Sequence, residues 1–376
     1  MSAIAMHPAN DGPGVFRIAA ANSLLLRYGG LKVAGPTYEG LSTPELLDIC
    51  AERLGDGTRD LDLGRKITRL LGHTSSDFPG IATAVARGAV LSGYAAYPTT
   101  WREIAAVGTV PDFKEHSRPQ VGGFGTMDVT PEGGEHSSKP VTEDRGSVRI
   151  GTRGRLIRLT RAAIRNDEMF QFIDAGERLG TAAARSLNTA VFDLLTSGSS
   201  GNGPTLADGG QLFNTTATTT AGGHANLAGS GGAISATTLA AAKLAMRKQT
   251  DRDSTRPLGI RPRTLLVPQA LEEIAWGQAG VNAWGTNPAV DEQLTRAGRL
   301  RVVSEPELDA ISATAWYLAA DPSIAPLFEV AFLDGRDEPV IEEAHDWDTD
   351  SIVTKCRFDY GFAVRDFRPG YRNAGA

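Results

Sequence analysis

The chain has 376 residues, enough for two or three packed units of about 100 to 200 residues each. Hydrophobic residues make up 41% and charged residues 22%, ordinary globular usage that excludes a wholly disordered or collagen-like chain. Lys plus Arg number 38 against 44 Asp plus Glu, a net charge of −6, which disfavours a sequence-specific DNA clamp but leaves room for a local basic stripe.

From Met1 to about Ser76 short helical candidates are joined by Gly and Pro. The clearest is LSTPELLDICAERLG. Ser42 and Glu45 have capping-box spacing, Pro44 suits a first turn, Gly55 is a stop, and Leu46, Leu47, Cys50 and Leu54 share a face. Such a helix is too short to stand alone, so its stripe must pack on something else, in this chain or another. A second helix follows in DFPGIATAVARGAVLSGYAAY, with Asp77 as cap and Ile81, Val85, Val90 and Leu91 facing a core.

Between Val107 and Thr160 the chain turns rich in Gly, Pro and charge, with alternating pieces at Val148 to Ile150 and Leu156 to Leu159. A long two-stranded hairpin with its tip near Gly133 and Gly134 fits, and with so little apolar payload it needs support from partners. About Asp167 to Ser197 reads as one long helix, with Phe170, Ile173, Gly180, Ala184, Leu187, Val191 and Leu194 on its core face. The next stretch, to about Ser235, is Gly, Ser, Thr and Asn with little periodicity, either disordered or ordered by contact. A helix then opens at Ser235 and closes on a basic turn. RTLLVP, the helix Gln269 to Ala279, LRVVSEP, TAWYLAA and LFEVAFL make a mixed α/β unit. PVIEE and IVTKCRFDYGFAVRDF return to strands, with a turn or bulge expected at Asp359 to Phe362.

The chemistry-bearing motifs are few. No phosphate-cradling G-x-x-x-x-G-K, no G-x-G-x-x-G between strand and helix, no H-E-x-x-H and no G-x-S-x-G occurs, and the six histidines are scattered. DWDTD spaces Asp346, Asp348 and Asp350 like the start of a calcium loop, but it lacks the Gly and closing Glu, so a solvated acidic turn is preferred. The serines near Gly198 and Gly229 serve flexibility. Cys50 and Cys356, the only cysteines, are too few for a disulfide framework and read as small buried hydrophobes in a reducing compartment. With no signal segment and no run of about 18 apolar residues, a soluble protein made in the cytoplasm and without a membrane partner is expected. No catalytic, cofactor-binding or metal residues are expected, and no cofactor.

Arg145, Arg149, Arg153, Arg155, Arg158, Arg161 and Arg165 crowd the hairpin's returning arm. They could bind phosphate, but with a negative net charge and no interleaved aromatics, ion pairing with carboxylates of the same or neighbouring chains is preferred. The first five, with Lys139, Glu132 and Glu135 near the tip, are the candidate contacts between subunits.

The order of elements, together with SDFPGI from Ser76, VPDFKEHSR from Val110, PEGGE from Pro131, LTRAAIRND from Leu159, LAMRKQTD from Leu244, IRPRTLLVP from Ile260, SATAWYLAAD from Ser312 and EVAFLDG from Glu329, resembles the major capsid proteins of tailed double-stranded DNA phages. The likeness is greatest to the capsid part of prohead protease/major capsid fusion proteins. The resemblance implies an α+β Hong Kong 97-type fold. Residues 1–76 would form an N-terminal arm and 107–160 an E-loop. Segments 77–106, 161–254 and 336–376 would form a P-domain with its spine helix at about 167–197, and 255–335 an A-domain. It implies a structural protein, not an enzyme, whose pentamers and hexamers build an icosahedral head around packaged DNA, with a portal, decoration or scaffolding proteins and non-specific DNA contact as partners. Its place would be the virion, after assembly in the host cytoplasm. No upstream protease is expected on this chain, which begins at Met1, and crosslinking through Lys139 is not expected because no motif matches its partners.

Alternatives are a same-fold nanocompartment or gene-transfer particle, a cytoplasmic serine hydrolase using a loop serine, and a trimeric receptor-binding or tail protein suggested by the Gly/Ser/Thr segment.

Overall fold

The computed structural model describes residues 12–31, 34–38, 41–54, 65–66, 70, 77–121, 143–166, 169–250, 256–279, 300–346 and 351–376. The chain divides into two units. One comprises Met1–Pro98, Thr152–Ser186 and Arg336–Asp359, and the other Thr99–Gly151, Leu187–Gly335 and Tyr360–Ala376.

In the first unit, helices α1 (Pro13–Gly29), α2 (Thr43–Leu54) and α3 (Asp77–Ala96) share a core with the start of the long helix. The capping box forms as its spacing predicts: the Ser42 backbone N–H donates to Glu45 Oε2 at 2.8 Å, and the Glu45 N–H to Ser42 Oγ at 3.4 Å. Leu46, Leu47 and Cys50 are buried and Leu54 is half-buried. The stripe of α2 is thus covered by its own chain, against Phe16, Leu24, Phe78 and Ile81. Asp77 opens α3, but its carboxylate serves as a staple. Oδ1 accepts from Arg17 Nε at 2.8 Å and Oδ2 from Arg53 Nε at 3.1 Å, while the Arg53 guanidinium lies 4.3 Å above the Phe16 ring. Gly55, the expected stop of α2, lies outside the described residues.

Strands β1 (Ala105–Val110), β2 (His116–Val121), β3 (Glu143–Val148) and β4 (Gly151–Thr160) follow. Among the described residues β2 and β3 alone form the antiparallel hairpin, in register from His116↔Val148 to Val121↔Glu143. The expected arms were longer, but β1 runs parallel to a later strand, with Ala105 and Val110 buried, and β4 lies beside another, with Leu159 buried. The tip at Gly133 and Gly134 lies outside the described residues.

After the short helix α4 (Arg161–Arg165) comes α5 (Met169–Thr196), the long helix. Ile173, Gly180, Ala184, Leu187 and Val191 are buried as expected, and Leu194 is half-buried. Phe170 is not on this face: it is 60% exposed, while Met169 and Phe172 are buried. At about 100° per residue, a side chain between those two points away from the stripe they define. In the first unit α5 meets α3 at glycine contacts, and Thr181 Oγ1 donates to the Gly93 carbonyl at 3.2 Å.

Helix α6 (Ala236–Lys248) begins with Ser235 and Thr238 capping each other and ends on Arg247 and Lys248. Then come β5 (Pro262–Val267), α7 (Glu272–Ala279), β6 (Arg301–Ser304), α8 (Pro306–Asp309), β7 (Trp316–Ala320), β8 (Phe328–Leu333), β9 (Val340–Asp346), β10 (Ser351–Val364) and β11 (Gly370–Asn373). In the first unit β9 pairs antiparallel with β10 from Ser351↔Asp346 to Arg357↔Val340, and β4 flanks β10 on its other side. In the second unit β1 pairs parallel with β8, and β8 antiparallel with β10 from Tyr360 to Val364. A separate sheet has the order β11-β7-β5-β6, with Leu265, Val267, Trp316 and Leu318 in its core beneath α6 residues Leu239, Ala242 and Met246.

Of the turn or bulge expected at Asp359 to Phe362, the turn is absent, since β10 is continuous strand there. Gly361 is there for close approach: a Cβ would lie 2.2 Å from the Arg149 carbonyl oxygen. The architecture is mixed helix and sheet, α+β.

Candidate functional site

Polar residues buried inside an otherwise apolar core show where the architecture is pinned. At the root of the hairpin, Glu329 of β8 is 7% exposed and sits between two arginines. Its Oε1 accepts from Arg118 Nε at 2.8 Å and its Oε2 from Arg365 Nη1 at 3.2 Å. Arg118 Nη2 also donates to the Thr109 carbonyl at 3.2 Å. The carboxylate has room only because residue 108 is glycine; a Cβ there would be 2.1 Å from Oε1. These groups line an open cleft of about 450 Å³ with Ala106, Val107, Ser117 and Pro326. Arg118 belongs to β2, so the pair fastens the hairpin to β8.

A second knot lies around Asn188 of α5. Its Oδ1 accepts from the Thr100 and Trp101 backbone N–H groups, both at 3.1 Å, while Nδ2 donates to the Glu305 carboxylate at 3.2 Å. Thr100 Oγ1 donates to Glu305 Oε2 as well. Both Asn188 and Glu305 are buried.

The Gly/Ser/Thr segment is ordered by contact, within its own unit. His224 is fully buried, its ring stacked on Phe367 with centroids 4.0 Å apart, Nε2 2.9 Å from Asp208 Oδ2 and Nδ1 2.6 Å from the Gln211 carbonyl. Asn214 Nδ2 donates to the carbonyls of Gln211 and Gly222, and Asn226 Nδ2 to those of Leu212 and Phe367. Arg372 of β11 donates to Asn202 Oδ1 and, at 2.9 Å, to the Ser200 carbonyl. Among the described residues the His224 ring bonds to Asp208, Asn214 and the Gln211 and Leu212 carbonyls and to no serine hydroxyl, so this imidazole–carboxylate pair has a structural setting.

Arg149, Arg153, Arg155 and Arg158 are all exposed. The last three lie on β4, where they accompany Leu156, itself 54% exposed, while Leu159 is buried. The side chain of Arg145, and residues Glu132, Glu135 and Lys139, lie outside what is described, as do Asp348 and Asp350. Among the described residues no group of His, Cys, Asp and Glu could hold a metal ion, and no helix is long and apolar enough to cross a membrane.

Both cysteines are buried and free. Burial pushes the Cys356 thiol from 9.0 up to about 11 and raises that of Cys50 further. Native protein near neutral pH should therefore resist a thiol reagent, and both cysteines should react once denaturant is added; rapid native labelling would contradict the burial. Because the folded pKa of Cys356 is raised, its contribution to stability is complete below pH 9 and is lost as pH climbs through about 11.

Glu329, Arg118, Arg365, Asn188, Glu305 and the His224 cluster all escape a motif search. Glu329 left one signal, a lone charge inside the apolar run LFEVAFL. Nothing local marks Asn188, whose partners lie far along the chain, or His224, whose ring hydrogen-bonds within the aperiodic Gly/Ser/Thr segment.

Within the fold the buried charges serve as fasteners. A family model described as "Phage capsid protein" matches residues 144–373. No curated protein matches the chain. Among solved structures, a chain from the capsid of cyanophage P-SCSP1u aligns with 12% identity and a TM-score of 0.47, covering 74% of this chain and 89% of that one. Another from Mycobacterium phage Adephagia aligns at 14% and 0.45, covering 74% and 91%. A virus-like particle from Pyrococcus furiosus aligns at 9% and 0.44, covering 77% and 97%. The chain belongs to the phage capsid protein family, on the strength of the family match over more than half its length. It is a structural component of the virion, assembled from many copies of itself, and not an enzyme.

Proposed function

We propose that this is the major capsid protein, which forms the icosahedral head of a tailed phage around packaged double-stranded DNA, with the Hong Kong 97-type arrangement. The observation that carries this beyond family membership is the sequence of elements: the β2–β3 hairpin, the long helix α5, an α/β sheet from β5 to β7, and a return to β9 and β10. In this assignment 107–160 is the E-loop, 255–335 the A-domain, residues 77–106, 161–254 and 336–376 the P-domain, and 1–76 the N-terminal arm. A shell built from one chain requires heterologous contacts, and a hairpin with little apolar surface of its own is suited to lie on a neighbour. The portal, scaffolding or decoration proteins and the DNA are further partners, and assembly takes place in the host cytoplasm.

Electron microscopy of the purified protein is the test. Closed shells enclosing nuclease-resistant DNA from infected cells support the reading; shells holding only protein cargo, or a small oligomer, overturn it.

The exposed arginines are the contacts between subunits in this reading. Arg149→Glu combined with Arg155→Glu should leave the melting transition within about 0.5 kcal/mol of wild type, as surface changes do, while shell yield drops in electron micrographs. Undiminished yield would remove these arginines from the contact surface.

A further inference from the structure

We propose that the cleft at the hairpin root is a socket for a carboxylate side chain of a second copy of this chain, held by Arg118 and Arg365. This rests on the capsid reading and specifies one of its contacts. Two guanidinium groups face one carboxylate here, leaving a surplus of one positive charge. Each guanidinium has five N–H donors. Arg118 commits Nε to Glu329 and Nη2 to Thr109, and Arg365 commits Nη1 to Glu329. The remaining donors have no partner among the described residues, yet both side chains are partly withdrawn from water, 22% and 38% exposed. The buried Glu329 carboxylate holds the two arginines in place, and Gly108 makes the space for it.

Charge complementarity selects the occupant. The chain carries 44 acidic against 38 basic residues, so a second copy offers carboxylates in surplus. DNA is the poorer candidate: phosphate backbones are gripped by rows of cations, and here one net charge lies in a concave cleft beside a carboxylate. A guanidinium and a carboxylate, by contrast, make short, directional, charge-assisted pairs.

The test places a photoreactive benzophenone amino acid at Val107, which is 50% exposed and lines the cleft. Irradiated shells should give a chain–chain adduct whose crosslinked peptide contains Asp or Glu. In parallel, Arg365→Gln, which keeps the Arg118–Glu329 pair, should lower shell yield roughly tenfold or more with a near-native melting transition. Shells carrying the benzophenone at position 107 that react only within one chain, or not at all, overturn this proposal alone, as does Arg365→Gln assembling like wild type. A wild-type chain that forms no shells overturns the capsid reading and this one with it.

Discussion

Gly180→Ala should destabilise the protein although it adds only one methyl group to a helix. In an isolated helix the same change would stabilise by about 1 kcal/mol, because alanine is the better helix former. Here a Cβ at position 180 would sit 1.9 Å from the Val90 carbonyl oxygen and 2.7 Å from the Tyr94 nitrogen. The reciprocal contact is as close: a Cβ at Gly93 would lie 2.0 Å from the Glu177 carbonyl oxygen. All of these are backbone atoms, so no rotamer change can relieve the clash, and α3 and α5 must separate. Separation loosens the contact of Gly176 with Ala89, and the Thr181 to Gly93 hydrogen bond with it. Overpacking of this sort costs about 1–3 kcal/mol, and with backbone on both sides the upper end applies. The denaturant midpoint should fall clearly, and Gly180→Leu should yield no folded protein. A midpoint at or above wild type for Gly180→Ala would mean that the helices do not cross this closely.

Asn188→Ala should cost about 3 kcal/mol or more. The amide bridges two backbone donors and a buried carboxylate, and its removal strands all three at once. Glu305, 2% exposed, would retain only the Thr100 hydroxyl among these partners. Asn188→Asp is the sharper variant. It keeps the size and the acceptor for Thr100 and Trp101 but turns a donor into an acceptor facing Glu305, so it should be no better tolerated than alanine. Thermal melting of both variants checks this. If Asn188→Asp melts like wild type, the Asn188–Glu305 bond contributes little.

Most elements were legible because local signals carry them. Ser42 with Glu45, Ser235 with its basic last turn, and the apolar runs LLV, WYLAA and FEVAF need no distant information to be read as helix starts and strands. The long helix was legible too, but its face was shifted at the first turn, where Phe170 competes with Met169 and Phe172 and only packing decides. The hairpin was overextended because β1 finds its parallel partner β8 more than 200 residues later, as the pairing Ala105↔Phe328 shows. Asp359 to Phe362 looked like a break because Gly361 is a poor strand former, whereas the glycine is required by the neighbouring Arg149 carbonyl. The candidate site was legible as composition, a crowd of arginines after the hairpin. The cluster that fastens the hairpin was not, since Arg118, Glu329 and Arg365 are separated by long stretches and meet only in the fold.

The Ser199 to Ser235 segment is organised by the polar contacts of His224, Asn214 and Asn226, and it also buries Leu212, Phe213 and Ile234. Melting it alone would bring that oily surface into contact with water, so the step should carry a positive heat-capacity increment. Attraction between hydrocarbon groups weakens on cooling, so in chilled particles the amides, carbonyls and imidazole carry a larger share of what keeps this stretch ordered.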